Sequence, residues 1–270
     1  TKMKKLISLW ITIVVILFQV QVSEACTGIT LTTKDNSMIL ARTIEWGGSD
    51  LNSQYVVVPR GYEQYSYIPG GKLSGMKFTA RYGLVGSEMC IRDRQLVSWI
   101  LGNFSTVDEV MKAIKKIHIV PIDPRASTVH WRMADITGKQ IVLEIVDGQP
   151  NFYENTLGVL TNSPGFEWHM TNLNNYINLY SGTTNPRTLG NIKLSSFGAG
   201  SGFLGIPGDV TPPSRFIRAA FYQTSSPQKE TAIEAVIQSF HILNNFDIPI
   251  GIEFSESETP TDIPSATQWT

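Results

Sequence analysis

Two cysteines, Cys26 and Cys90, are all that this 270-residue chain carries, and one pair is no disulfide framework for a protein of that size. The four histidines (His118, His130, His169 and His241) lack zinc-type spacing, so core or surface roles are expected for each rather than metal ligation. Charge is also scarce: 17% of residues are charged, the net charge is −1, and there is no basic run. Nucleic acid is excluded as a partner on that ground, because neutralising phosphates takes clustered Lys and Arg. The Gly-rich stretch 198–208 lacks the strand-to-helix setting of a phosphate loop, which argues against nucleotide binding. A long hydrophobic run is missing as well. The apolar stretch 6–20 falls short of the about 20 residues that a membrane span takes.

That stretch has the form of a leader instead. Met3 is followed by Lys4-Lys5, the apolar run, and then Ser23-Glu24-Ala25. A basic start, a short apolar middle and small residues at −3 and −1 define a secretory signal. Residues 1–25 are therefore expected to be removed, with Thr1 and Lys2 upstream of the initiator. The mature protein is expected in the periplasm or outside the cell, without a stable membrane anchor. About 245 residues then remain, enough for one domain with its own core.

Cleavage after Ala25 would make Cys26 the first residue, with a thiol and a free α-amine together. Their ordinary pKa values are ~8.5 and ~7.7–8.0, so both titrate near working pH. One residue then supplies nucleophile and general base. The rival reading is lipoprotein processing, which would acylate Cys26 and give a lipid-anchored, non-catalytic binding protein. Ser23 and Glu24 fit that signal poorly, since it favours an aliphatic residue and then a small one.

Along the mature chain, 27–32 and 37–42 predict two strands around the turn Lys34-Asp35-Asn36, and 55–58 a third, stopped by Pro59. Thr106 opens a helix whose apolar stripe is Val107, Val110, Met111, Ile114 and Ile117, with Asp108 and Glu109 favourable to its dipole. Strands are expected at 128–135, 140–146 and 157–161, separated by turns at Gly138 and Gly148, and helices at 169–179 and 229–244. Strands in runs followed by helices in runs indicate an α+β fold rather than alternating βαβ units.

Five motifs then stand in order: Cys26-Thr27-Gly28; Ala41-Arg42-Thr43-Ile44-Glu45-Trp46; Thr161-Asn162-Ser163-Pro164; Trp168-His169; and Pro207-Gly208-Asp209-Val210-Thr211-Pro212-Pro213-Ser214-Arg215-Phe216. With them the chain resembles the choloylglycine hydrolases, N-terminal-nucleophile enzymes that include bile salt hydrolases and penicillin V acylases. The resemblance implies a four-layer αββα sandwich, with the nucleophile at the end of a central strand, over residues 26–270. It implies hydrolysis of a small-molecule linear amide through an acyl-enzyme on Cys26, no cofactor, and a homotetramer. By the same resemblance Arg42 sits beside the nucleophile, where positive charge favours thiolate. Glu45 replaces the aspartate that orients the α-amine, with one methylene more. Asn162 helps hold the oxyanion, and Arg215 is the second arginine of the centre. Arg218, one turn further, is expected at the surface or core edge.

The likeness breaks at residues 85–94, Val-Gly-Ser-Glu-Met-Cys-Ile-Arg-Asp-Arg. There the family carries a loop and a strand with a second oxyanion asparagine. The segment reads as a translated adapter end from a sequencing library, and truncation of the family's last strands is also expected. On this reading the chain as written is insoluble or inactive, while the natural full-length protein is an amidase.

Overall fold

The computed structural model describes residues 26–44, 54–68, 72–88, 95–119, 130–249 and 251–253. The leader, Glu45, Trp46 and Cys90 lie outside the described residues.

The hairpin after Cys26 forms where expected. Strand β1 (Gly28–Thr32) pairs antiparallel with β2 (Met38–Arg42), placing Gly28 opposite Arg42. The turn between them closes through Thr33 N–H donating to Ser37 O at 3.0 Å, and Asn36 takes the left-handed φ of 63° that asparagine tolerates. On its other edge β1 meets residue 160: Gly28 N–H donates to Leu160 O at 2.7 Å, and Leu160 N–H to Gly28 O at 3.0 Å. The stretch 157–161 is therefore no full strand, contrary to the sequence-based expectation. Gly158 turns with φ 75°, and the Asn155 side chain bonds Gly158 N–H and Val159 O, taking ladder positions for itself.

After β3 (Gln54–Val58) in the chain, strand β4 (Glu63–Ile68) pairs with β5 (Lys72–Thr79), while β6 (Leu84–Glu88) pairs with β3 in a separate sheet. The first residues of the divergent segment thus extend a two-stranded sheet. Helices α1 (Gln95–Asn103) and α2 (Val107–Ile114) follow. The Thr106 hydroxyl accepts the Glu109 N–H, and Glu109 reaches back to Thr106 N–H, a capping box in which the Thr contributes about 1 kcal/mol.

Strands β7 (Trp131–Ala134), β8 (Gln140–Val146) and β9 (Gln149–Glu154) form a meander with turns at Gly138 and Gly148. β9 was not foreseen in the sequence. β8 is buried on both faces, so its Ile-Val-Leu run carries no alternation. Cross-strand neighbours share a face. Trp131, Leu143 and Phe152 lie together and pack with Trp99, Ile100, Val110 and Ile114 of α1 and α2. Arg132, Val142 and Tyr153 occupy the opposite face, where Val142 joins Ile29, Val159, Leu160, Phe166, Phe216 and Ile242.

Those last residues come from β1, from the 157–161 stretch and from three helices: α3 (Phe166–Asn172), α4 (Pro212–Ser225) and α5 (Ala232–Leu243). Each such fully buried aliphatic or aromatic side chain contributes about 1.5–3 kcal/mol. α3 is shorter than the expected 169–179 and continues as a 3₁₀ turn, Leu173–Tyr176. The helix expected over 229–244 is α5, which starts at a second capping box on Thr231. α4 was missed in the sequence, although Pro212 and Pro213 fill its first turn, where proline's missing N–H costs nothing. The hairpin β10 (Arg187–Leu189) and β11 (Ile192–Leu194) stands exposed. Every strand pairing among the described residues is antiparallel, in keeping with α+β.

Candidate active site

Four of the five expected residues converge on the start of β1. Cys26 is half-buried, one step ahead of the ladder. The pairing continues past the strand ends: Thr43 N–H donates to Thr27 O at 2.9 Å and Thr27 N–H to Thr43 Oγ1 at 3.0 Å. That register sets Arg42 beside the thiol, and its Nη2 donates to Cys26 Sγ at 3.0 Å. Arg42 itself is exposed, so this side of the site opens to water.

Asn162 closes the other side. Its Oδ1 accepts Cys26 N–H at 2.7 Å and Arg215 Nη2 at 3.1 Å, which leaves Nδ2 as its donor. The backbone behind it is held by His169, whose Nε2 lies 2.8 Å from Asn162 O. A carbonyl only accepts, so Nε2 carries the proton. His169 is fully buried and stacked on Phe216 at 4.7 Å. Burial pushes its pKa down to about 4, and the ring is neutral. The core role expected for it holds.

Arg215 is fully buried at the first turn of α4. Its Nε donates to Val210 O at 2.8 Å, and its Nη1 to Cys26 O and Thr27 Oγ1, both at 2.8 Å. The motif around it explains the placement. Asp209 accepts Thr211 N–H at 2.9 Å and the Ser214 hydroxyl at 2.6 Å. Burial opposes charge on Asp209, but the bonds from Ser214 and Thr211 outweigh it and hold the carboxyl below its usual range. The loop thus clamps the helix start, and the helix start aims the arginine. Arg218 corrects the expectation of a surface or core-edge charge. It is buried, donates Nη1 to Pro207 O and Asp209 O, both at 2.7 Å, and lies over the Phe246 ring. Glu45 lies outside the described residues, and Trp168 is half exposed.

Similarity to known proteins agrees with this geometry. Residues 67–267 match the sequence profile of linear amide C–N hydrolases of the choloylglycine hydrolase family. The chain belongs to that family. A bile salt hydrolase/transferase of Clostridium perfringens is 32% identical over 263 residues, spanning 82% of this chain and 78% of the relative. A penicillin V acylase of Pectobacterium atrosepticum is 27% identical over 172 residues, spanning 57% of this chain and 40% of that one. Among solved structures, the conjugated bile acid hydrolase of Clostridium perfringens superposes with a TM-score of 0.72 at 29% identity, over 90% of this chain and 83% of its own. The penicillin V acylase of Agrobacterium tumefaciens gives 0.67 at 22% identity, over 90% and 78%, and speaks for the fold alone.

Two charged residues near the centre went unread in the sequence. Glu144, buried in β8, accepts Phe166 N–H at 2.7 Å and so caps α3, which carries His169. Burial pushes its carboxyl pKa up. His130 Nδ1 lies 3.1 Å from the same carboxylate but off hydrogen-bond alignment, and burial pushes its pKa down to about 4. Arg132 is the second. Its Nη1 donates to Gly158 O at 2.7 Å and Thr30 Oγ1 at 3.1 Å, and its Nη2 to Ala41 O at 3.3 Å. The signal available was a charged residue between Trp131 and Met133 in a predicted strand, but no local pattern says what such a residue faces.

Proposed function

We propose that the natural form of this chain, freed of its leader after Ala25 and exported, hydrolyses linear amides through Cys26. The observation that carries the reading is the meeting at one residue of Arg42 on Sγ and Asn162 Oδ1 on the nitrogen. The thiolate, favoured by Arg42, attacks the amide carbonyl. The oxyanion is met by Asn162 Nδ2, and such a donor is worth about 2.7–4 kcal/mol in other enzymes. The α-amine of Cys26 takes the thiol proton and returns it to the leaving nitrogen. Water then cleaves the acyl-enzyme with the amine as base, which restores the thiol. Asn162 Oδ1 orients the amine, and Glu45 shares that task.

The packing order supports a four-layer αββα sandwich: α1 and α2, the β7–β9 sheet, the β1–β2 hairpin, then α4 and α5. The substrates we propose are conjugated bile salts, penicillin V or related N-acyl amides, in line with the relatives' names. Family membership disfavours the lipid-anchored binding protein. The expectation that residues 85–94 cost activity stands beside this proposal. The assay is therefore run on this chain and on a form carrying the Clostridium perfringens relative's segment at 85–94. Amino-terminal sequencing reads Cys first if the proposal holds, and the segment-replaced form releases amine from a conjugated bile salt or penicillin V. A blocked terminus, or no turnover of any of these amides, refutes it.

A further inference from the structure

Arg132 is an interior cation held by neutral oxygens. It projects from β7 onto the face that carries Val142, which is buried in the core, and no carboxylate pairs with it among the described residues. Taking a cation out of water costs several kcal/mol, and apolar replacements of buried charges are often neutral or stabilising. Its three oxygen partners take three of its five N–H donors, and none of the three is itself charged.

What they do is tie together the segments around the nucleophile. Thr30 belongs to β1, Ala41 directly precedes Arg42 on β2, and Gly158 lies in the stretch that bridges Gly28. The guanidinium lies over Gly28, where an added Cβ would come within 3.3 Å of Cζ. Gly28 is two residues from Cys26 and opposite Arg42. Burial, and then the positive charge of Arg42, push the pKa of Arg132 down to about 10. Gly28 and Thr30, which the Arg132 guanidinium touches, share a face of the hairpin with Arg42, so the two cations lie on the same side of it. Arg42 is exposed and its field is screened by salt, whereas an interior charge is screened much less.

We propose that Arg132 is a positioning residue for the nucleophile: it fixes the β1–β2 junction and, by its charge, presses the Arg42 guanidinium towards Cys26 Sγ. The inference rests on the proposed role of Cys26. Among the described residues, the other groups that face the thiol or its partners are Arg42 from β2, Arg215 from α4, Asn162, and the neutral His169 from α3, which reaches the Asn162 carbonyl and the Thr161 hydroxyl.

The test is alkylation of Cys26 by iodoacetamide across pH in the processed, segment-replaced form, located by peptide mass spectrometry, with urea unfolding measured in parallel. R132M removes the charge at similar volume, and R132K keeps it. The pH profile of R132M is expected to move up by about half a pH unit, making alkylation about threefold slower below the midpoint, while R132K stays close to the parent. Where R132M gives no soluble protein, the neutral R132Q takes its place. Parent-like alkylation in R132M, or equal slowing in R132M and R132K, would overturn the proposal and leave Arg132 a structural residue. An unreactive Cys26 in the unsubstituted protein would instead sink the proposed function itself.

Discussion

Asn162 carries two tasks on two atoms of one amide, and replacing one atom separates them. Oδ1 is the anchor, bonded to Cys26 N at 2.7 Å and Arg215 Nη2 at 3.1 Å. Nδ2 is the proposed oxyanion donor. N162D keeps two oxygens of the same reach, so the anchor survives and gains charge against Arg215. The donor is lost, which at about 2.7–4 kcal/mol lowers kcat about 10²–10³-fold. N162A loses donor and anchor together, and stranding buried donors adds about 1–3 kcal/mol of destabilisation. Amine release in the segment-replaced form gives kcat and KM, and urea unfolding gives stability. The expected outcome is a fall in kcat for both variants, larger in N162A, where the amine also loses its anchor, with stability lost only in N162A. If N162D retains kcat within about tenfold of the parent, a shortfall of more than about 1.4 kcal/mol from the lower estimate, the donor assignment is wrong.

Three further outcomes follow from the geometry. R42L removes the cation on Sγ, and alkylation of Cys26 at neutral pH is expected to slow about tenfold, since an opposite charge at contact commonly shifts an ionisation by a unit or more. R215A empties a fully buried site and leaves Val210 O, Cys26 O and Thr27 Oγ1 without this donor, so a loss of roughly 3 kcal/mol or more is expected in urea unfolding. Stability should also depend on pH through His130 and His169, both pushed by burial from 6.5 down to about 4. Below the ordinary histidine value the unfolded chain binds protons that the native chain refuses. This contribution is thus whole above about pH 6.5 and is lost as pH falls through about 4, at up to about 1.4 kcal/mol per pH unit for each ring. Glu144, pushed up by burial, acts in the opposite sense as pH rises. Urea midpoints that do not fall on acidification, measured in E144Q to remove that opposing contribution, would contradict the buried-neutral assignment.

Local signals carried much of this structure. The β1–β2 hairpin, the Thr106 cap and the Gly138 and Gly148 turns were legible because each rests on neighbours within a few residues. The stretch 157–161 misled for the converse reason. Its composition suits a strand, but Asn155 and Gly158 bend it into a single bridge. α4 was hidden because its Arg215 and Arg218 are both buried, so no polar face marks the helical period. Arg218 was misplaced on the same account, since its partners are two carbonyls of the preceding loop.

Sequence by itself determined the family, through five ordered motifs, and named Cys26, Arg42, Asn162 and Arg215 as one site. Tertiary structure alone decided how they come together. Residues 26, 42, 162 and 215 meet only when two hairpin strands, a loop and a helix start pack around one core. It also brought in Arg132 and Glu144, whose roles depend on which face of a doubly buried sheet they occupy. Strand alternation specifies two faces, but long-range packing decides what each face touches.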